Sequence, residues 1–389
     1  MKPQLIYLCD ANLGGIYEYA LRQSAALVEA GVAVTFLCRK DFPGEPRGVE
    51  HVERRLPPKA GARQARLLRF WEAVRTERAA ACAAYALGGE RGTSQTLGAC
   101  YREYFSPLWA GAFRHAQRGG VRFSTIAHDP VRDFVLGPRW WHRWSVAQAY
   151  SFVSQVFTHD DTPLDTGRPC PHLQVTVIPH GPYELPPPKA GRSAVRERYG
   201  FADGDVVLLA FGHVRDSKNL DLVLRALTRL PIEMKLLVAG KENAVSQRPV
   251  SHYQRLASEL GIGKRCRWEA RYILNDEAAD FFAAADVCLL TYGTNFRSAS
   301  GVLNTAVFSR RMVLASSGSG PLGSVVQRYG LGVLVAPESV DAIVVGLGDL
   351  LSRPPVPQWE QYARENSWRR NADLVRKALF GSVEAGAGS

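Results

Sequence analysis

Apolar residues along this chain fall into short unbroken runs, separated by polar loops and by longer stretches of helical spacing. Residues 5–9 form one such run and lead into the polar, Gly-ending loop 10–15, DANLGG. Residues 16–30 follow with Ala20, Leu21, Ala25, Leu27 and Val28 at helical spacing, and 32–37 are apolar again. Short continuous apolar runs suit strands buried on both faces, and their alternation with helices predicts a doubly wound parallel sheet. Residues 41–100 break the rhythm, because Pro43, Pro46, Pro57, Pro58 and the Gly-rich 88–92 interrupt helical pieces. Beyond them the pattern predicts a helix over 101–119 and a strand over 122–127 that ends in His128-Asp129-Pro130. A helix over 142–155, a strand over 155–159, polar turns over 160–174 and a strand over 175–179 lead to His180-Gly181.

Residues 182–194 carry three consecutive prolines, Pro186, Pro187 and Pro188, and read as a stiff extended linker. The same grammar then restarts. Apolar runs predict strands over 206–211, 235–239, 267–272, 287–290, 312–315 and 331–335. Helical spacing predicts helices over 220–230, 252–260, 276–285, 301–308, 324–329 and 340–351, and a last helical stretch over 358–380. The predicted division is a domain over 1–181, the linker 182–194, a domain over 195–357, and a C-terminal helix and tail over 358–389 whose helix packs back on the first domain. The fold class expected is α/β, two Rossmann-like doubly wound parallel-sheet domains facing an interdomain cleft.

Composition narrows the class of protein. The chain has 389 residues, 46% of them apolar, enough for a core in each of two domains. No apolar run is long enough to span a bilayer, and the first residues do not read as a signal peptide. The seven cysteines show no metal-ligand spacing and read as reduced thiols in a cytoplasmic protein. The net charge of +11 would serve an anionic substrate, an anionic membrane surface or nucleic acid. Residues 53–78 hold eight Arg or Lys against three Glu, interleaved with Leu67, Leu68, Phe70, Trp71 and Val74, and 139–144 add RWWHRW. Aromatics beside arginine suit a lipid headgroup layer, and a solvated basic helix with partly buried Trp fits these stretches equally well. No recognisable nucleic-acid module accompanies them, so nucleic acid is not expected as a partner.

The candidate chemistry sits where strands end. Loop 211–219, FGHVRDSKN, places His213, Arg215 and Lys218 past the strand 206–211, where cations and backbone N–H groups suit a diphosphate. Ser300 is a good N-cap, and with Gly301 it opens a helix whose free N–H groups can hold a phosphate. Residues 316–320, SSGSG, are flexible enough to lie against a sugar or phosphate. In the first half, Gly14 and Gly15 let a backbone approach a ligand, and His128 with Asp129 ends a strand. A structural histidine fits the same position. Asp160-Asp161 reads as loop charge, not a metal site. HExxH, the Walker lysine loop and Gly-x-Ser-x-Gly are absent, as is GxGxxG after the first strand.

These residues resemble a known family. FGHVRDSKNLDLVLRAL, YILNDEAADFFAAADVCLLTY and SGVLNTAVFSRRMVLASSGSG are similar to segments of GT-B nucleotide-sugar glycosyltransferases, specifically glycosyltransferase family 4, the group 1 transferases. DANLGGIYEYALRQSAALVEAG and IPHG fit the same pattern more loosely, and 41–100 and 160–174 fit it poorly. The resemblance implies sugar transfer from a UDP- or GDP-sugar to a saccharide or lipid-linked acceptor, with retention of configuration, in polysaccharide or glycoconjugate synthesis. It implies no metal and no other cofactor. Arg215 and Lys218 would hold the diphosphate, helped by backbone N–H groups of Gly301, Val302 and Leu303. Gly15 would lie under the donor phosphate or the acceptor, His128 would face the transferred sugar, and Tyr272 and Ile273 would lie near the nucleobase. The expected location is the cytoplasm, peripheral on the inner face of the membrane through 53–78 and 139–144. The family often carries two glutamates with seven residues between them; counted back from Ala315-Ser316, those positions are Arg297 and Thr305. The departure leaves an inverting transferase, with His128 or Asp129 as base, and a non-catalytic sugar-nucleotide binder as alternatives.

Overall fold

The computed structural model describes residues 2–59, 66–100, 103–131, 135, 137–182, 185–242 and 247–381. Residues 60–65, part of the basic stretch singled out above, lie outside the described residues, as do 183 and 184 of the expected linker. Contacts gather the chain into two compact units, one running to Gly181 and resuming at Asn366, the other Pro182–Glu365.

The first unit contains β1 (Gln4–Cys9), α1 (Gly15–Glu29), β2 (Ala33–Arg39), β3 (His51–Leu56), α2 (Arg66–Arg91), β4 (Gln95–Gly98), α3 (Ala110–Arg118), β5 (Arg122–Ile126), α4 (Arg139–Tyr150), β6 (Val153–Thr158) and β7 (Gln174–Val177). Its sheet runs β3-β2-β1-β4-β5-β6-β7, and every described pairing in it is parallel. Alternation along β1 explains both layers. Ile6 enters the core under α2, α3 and α4, while Leu5, Tyr7 and Cys9 enter the opposite core, which holds α1.

The second unit contains α5 (Gly191–Arg198), β8 (Val206–Phe211), α6 (Leu220–Leu227), β9 (Met234–Ala239), α7 (Val250–Glu259), β10 (Cys266–Glu269), α8 (Asn275–Ala284), β11 (Val287–Thr291), α9 (Gly301–Phe308), β12 (Met312–Ser316), α10 (Pro321–Arg328), β13 (Gly332–Leu334), α11 (Val340–Ser352) and α12 (Trp359–Glu365). Its parallel sheet runs β10-β9-β8-β11-β12-β13. Val207 and Leu209 face α8 and α9, and Leu208 faces α6, α7 and α11. In each sheet the strand order reverses beside the first strand, between β1 and β4 and between β8 and β11. Crevices at such reversals, at the strands' carboxyl ends, are where this fold class holds ligands.

Three expectations change. Residues 41–100 hold two strands and one long helix. Helix α2 runs through Gly88 and Gly89 and stops at Gly92, whose φ is +65°. Gly88 belongs there for space, since a Cβ would stand 3.0 Å from the Thr93 carbonyl. The helix expected over 101–119 is a 3-10 turn at Ser106–Leu108 followed by α3, with 101 and 102 outside the described residues. The last helical stretch is two helices. α12 buries Tyr362 in the second unit's core, where its hydroxyl bonds to Asn304. After Ser367, whose hydroxyl accepts from the Arg370 N–H at 3.1 Å, α13 (Trp368–Phe380) joins the first unit, with Ala372 and Val375 in the core that α1 lines.

Candidate functional site

In the second unit the chain leaves β8 through Gly212, whose φ of +83° turns it sharply. It passes Arg215, makes one 3-10 turn over Asp216–Lys218, and enters α6 through Asn219 at φ +50°. The Lys218 side chain folds back so that Nζ donates to the Phe211 carbonyl at 2.5 Å. From the neighbouring strand, Thr291 donates its hydroxyl to the Lys218 carbonyl at 2.8 Å. Past β11, the rings of Tyr292 and Phe296 stack 3.9 Å apart, and the Arg215 guanidinium lies 5.8 Å from each centroid. The buried Nε of Arg215 and Nδ2 of Asn219 meet no hydrogen-bond partner.

The charges here share one sign. Burial pushes Lys218 down to about 7, and Arg215 acts in the same direction. His213 is lowered by burial and by Lys241, Lys218 and Arg215 together. Asp216 turns to other partners, accepting from Arg248 Nε at 2.8 Å and from the Tyr253 hydroxyl at 2.9 Å. Arg215 and Lys218 on the loop after β8, Lys241 past β9, and the buried, unpaired donors are together chemically complementary to an anion of more than one charge.

The other expected residues divide. The Ser300 hydroxyl caps α9, taking the Leu303 N–H at 3.3 Å, and sits 3.1 Å from the Tyr292 hydroxyl. That N–H is therefore spent, which removes Leu303 from the expected phosphate contacts and leaves those of Gly301 and Val302. Val302 stands beside the loop, its Cγ2 3.7 Å from where a Cβ on Gly212 would lie. The side chains of Leu303 and Ile273 are core. Thr305 is buried on α9 and donates to the Gly301 carbonyl at 3.1 Å. Arg297 is exposed. Tyr272 is half-exposed, with Lys241 Nζ 5.5 Å above its ring. The glycines of 316–320 serve packing: a Cβ on Gly318 would stand 1.9 Å from the Thr294 carbonyl, and one on Gly320 2.8 Å from the Arg297 backbone. Lys241 and Asn219 were not among the expected site residues, although Asn219 ends the marked loop 211–219 and Lys241 stands two residues past the expected strand 235–239.

In the first unit, Gly14 has φ +86° and precedes α1, whose first residue is Gly15. His128, His159 and His180 each follow the end of a strand, β5, β6 and β7. Their rings surround the buried Tyr19, at centroid distances of 4.7, 5.5 and 5.1 Å. Trp368 closes the group 4.9 Å from Tyr19 and lies flat on Gly181, where a Cβ would meet it at 2.2 Å. His128 places Nε2 2.9 Å from the Ala99 carbonyl and Nδ1 3.1 Å from His159 Nε2. Burial lowers all three imidazoles, most firmly His159, with His180 at about 4. Asp129, next to His128, is exposed. Of this cluster only His128 was expected at the site; the signal for the other two was their shared place just past a strand.

Solved structures of similar shape define the class. A glycosyltransferase from Rickettsia africae superposes with a TM-score of 0.69 at 14% identity, covering 98% of this chain and 100% of that one. Sucrose-phosphate synthase from Thermosynechococcus elongatus gives 0.64 at 18% identity, covering 97% and 95%. HepE from Anabaena, solved with UDP and glucose, gives 0.62 at 14% identity, covering 97% and 95%. The fold is that of the GT-B glycosyltransferases. Residues 191–371 match the family model for glycosyl transferases group 1. D-inositol 3-phosphate glycosyltransferase from Mycobacterium ulcerans is 28% identical over 196 residues, 47% of this chain. That match takes in 40% of the relative's own length, less than half of it.

Proposed function

We propose that this chain is a glycosyltransferase that moves a sugar from a UDP- or GDP-sugar to a saccharide or lipid-linked saccharide, with retention, in polysaccharide or glycoconjugate synthesis. The observation that carries this reading is the cationic loop after β8, at the reversal of strand order, with Arg215, Lys218 and Lys241 acting together on His213. As the diphosphate leaves, negative charge grows on its oxygens. Arg215 offers a planar fork, Lys218 Nζ exchanges the Phe211 carbonyl for a phosphate oxygen, and the N–H groups of Gly301 and Val302 complete the cradle. In this reading protein cations neutralise the leaving group and no metal is needed. Retention is supported by His128, since both its ring nitrogens are engaged within its own unit and neither stands ready as a base. A panel of UDP- and GDP-sugars with purified protein tests the reading. The correct donor should raise Tm by mass action and release nucleoside diphosphate, and product NMR should report the donor's own anomeric configuration. Failure of every UDP and GDP compound to bind would sink it.

The reading also places the protein in the cytoplasm, peripheral on the inner face of the membrane. Among the described residues no helix is long and apolar enough to cross one. Residues 53–55 contribute little free charge: Glu53 pairs with Arg55 and Arg91, and Arg55 also with Glu90. What remains is an exposed face of α2 with Leu68, Trp71, Arg75 and Arg78, and the start of α4 with Arg139, Trp140, Arg143 and Trp144. Both helices meet the segment 104–105, Phe70 of α2 packing on Phe105 at 4.6 Å and His142 of α4 on Tyr104 at 5.8 Å. Tryptophan with arginine on one surface suits anionic headgroups. The protein should sediment with phosphatidylglycerol vesicles but not with phosphatidylcholine vesicles, and Trp71→Ser with Trp140→Ser should release it. Equal recovery in the supernatant with both lipids would end this part of the reading alone.

A further inference from the structure

We infer that His159 is the positioning residue that fixes the tautomer and ring orientation of His128. A proton inventory leads there. The Ala99 carbonyl 2.9 Å from His128 Nε2 can only accept, so Nε2 carries the hydrogen and Nδ1 of the neutral ring is a bare lone pair. That lone pair faces His159 Nε2 at 3.1 Å, which must then be the donor. The other nitrogen of His159, Nδ1, faces the Ile178 carbonyl at 3.2 Å. Satisfying all three contacts takes three ring hydrogens, and two neutral rings supply two. The longest of the three contacts, to Ile178, is the one to give up its hydrogen. Moving the hydrogen off His128 Nε2 instead would set two lone pairs against each other at the shortest contact.

The surroundings favour this neutral arrangement. Desolvation lowers both imidazoles, and the rings facing them are Tyr19 from α1 and His180 past β7. Asp129 acts on His128 in the opposite direction. The Tyr19 hydroxyl is held from outside the pair, accepting from Gln23 at 3.2 Å and Asn371 at 3.0 Å. His128 is thus clamped from both nitrogens, one by backbone and one by His159. Its contribution is a ring of fixed orientation, and proton abstraction is closed to it. The tautomer stands on this geometry alone, and only the expected effect on turnover rests on the proposed reading.

The test uses the full chain with ring-15N histidine. In the unliganded protein at neutral pH, long-range proton–nitrogen spectra should show His128 protonated on Nε2 and accepting on Nδ1. His159→Phe keeps a ring and deletes the donor, so the His128 Nδ1 signal should move to that of a free acceptor. His159→Gln keeps a donor amide and should retain the wild-type signature. Turnover should follow, with kcat down by about tenfold in His159→Phe at little change in KM, and within about threefold of wild type in His159→Gln. A wild-type His128 protonated on Nδ1 overturns the inference even if neither variant folds. So does an unchanged spectrum and kcat in His159→Phe. If no donor is turned over, the glycosyltransferase reading fails while the spectra still judge the pair.

Discussion

The two units end their strands in opposite chemistry on the same topology. Both sheets reverse order beside their first strand, and both put titratable residues in the loops that leave strand ends. In the first unit these are His128, His159 and His180; in the second they are Arg215, Lys218 and Lys241. Burial lowers all three imidazoles and, in the second unit, pulls Lys218 to about 7. Arginine cannot be neutralised in this way, so the second unit keeps a permanent positive charge that the first lacks. A fold of this kind fixes where ligands approach, and the residues of the loops past the strands decide whether that place is neutral or cationic.

The largest effect should come from breaking the cationic side. Arg215→Ala and Lys218→Ala should each lower kcat/KM for nucleoside diphosphate release by roughly 30- to 1000-fold, about 2–4 kcal/mol of charge-assisted contact. The same truncations should weaken UDP or GDP binding in calorimetry. Lys218→Arg keeps a charge but not the short reach to the Phe211 carbonyl, and should fall between the two. Wild-type rates in both alanine variants would detach this loop from the diphosphate.

Titration should separate the units further. Below pH 7 the free protein already carries the Lys218 charge, so an anion binds without proton uptake. Above it the neutral lysine must gain a proton to bind, so affinity for UDP should fall by about tenfold per pH unit between pH 7 and 9. A flat affinity over that range would show that Lys218 is not the titrating group. The first unit should respond to acid. His180 titrates at about 4 in the fold against 6.5 for the ordinary side chain. The unfolded chain therefore binds more protons between those values, and stability falls as pH drops through that window. The loss from His180 alone is roughly 3 kcal/mol, read as a falling denaturant midpoint from pH 6.5 to 4. His180→Asn should flatten that slope and leave the UDP titration untouched.

What the sequence made legible follows the same division. Strands buried on both faces announce themselves as apolar runs, so β1, β2, β8, β9, β11 and β12 were readable, along with the cationic loop between β8 and α6. β3, HVERRL, was not, because it is an edge strand whose exposed charges pair with one another and with α2. α2 was hidden by Gly88 and Gly89, neither of which ends the helix; Gly88 is there for close packing, and a Cβ on Gly89 would meet open space. The histidine cluster needs three strand ends to converge, and spacing along the chain does not reveal which strands are neighbours. On α9, counting along the chain does not reveal that the Leu303 side chain is core, that Thr305 is buried and donates to the Gly301 carbonyl, or that the cap takes up the Leu303 N–H.

The smallest expected effect sharpens the comparison most directly. The net charge of +11 offers a rival account, in which anion binding rests on diffuse attraction and not on three placed cations. Arg229 distinguishes these. It lies on the second unit just beyond α6, exposed and paired with the exposed Asp341 at 2.5 Å. An exposed pair of this kind contributes about 0–1 kcal/mol, so Arg229→Ala should shift the denaturant midpoint only slightly. It removes one unit of net charge, as Arg215→Ala does, but from a site whose charge is already matched. UDP affinity at physiological salt should therefore stay within about twofold of wild type, since distant exposed charges are screened. If Arg229→Ala weakened UDP as much as Arg215→Ala, the attraction would be a property of the whole surface, and the contrast between the two sets of strand ends would lose its meaning.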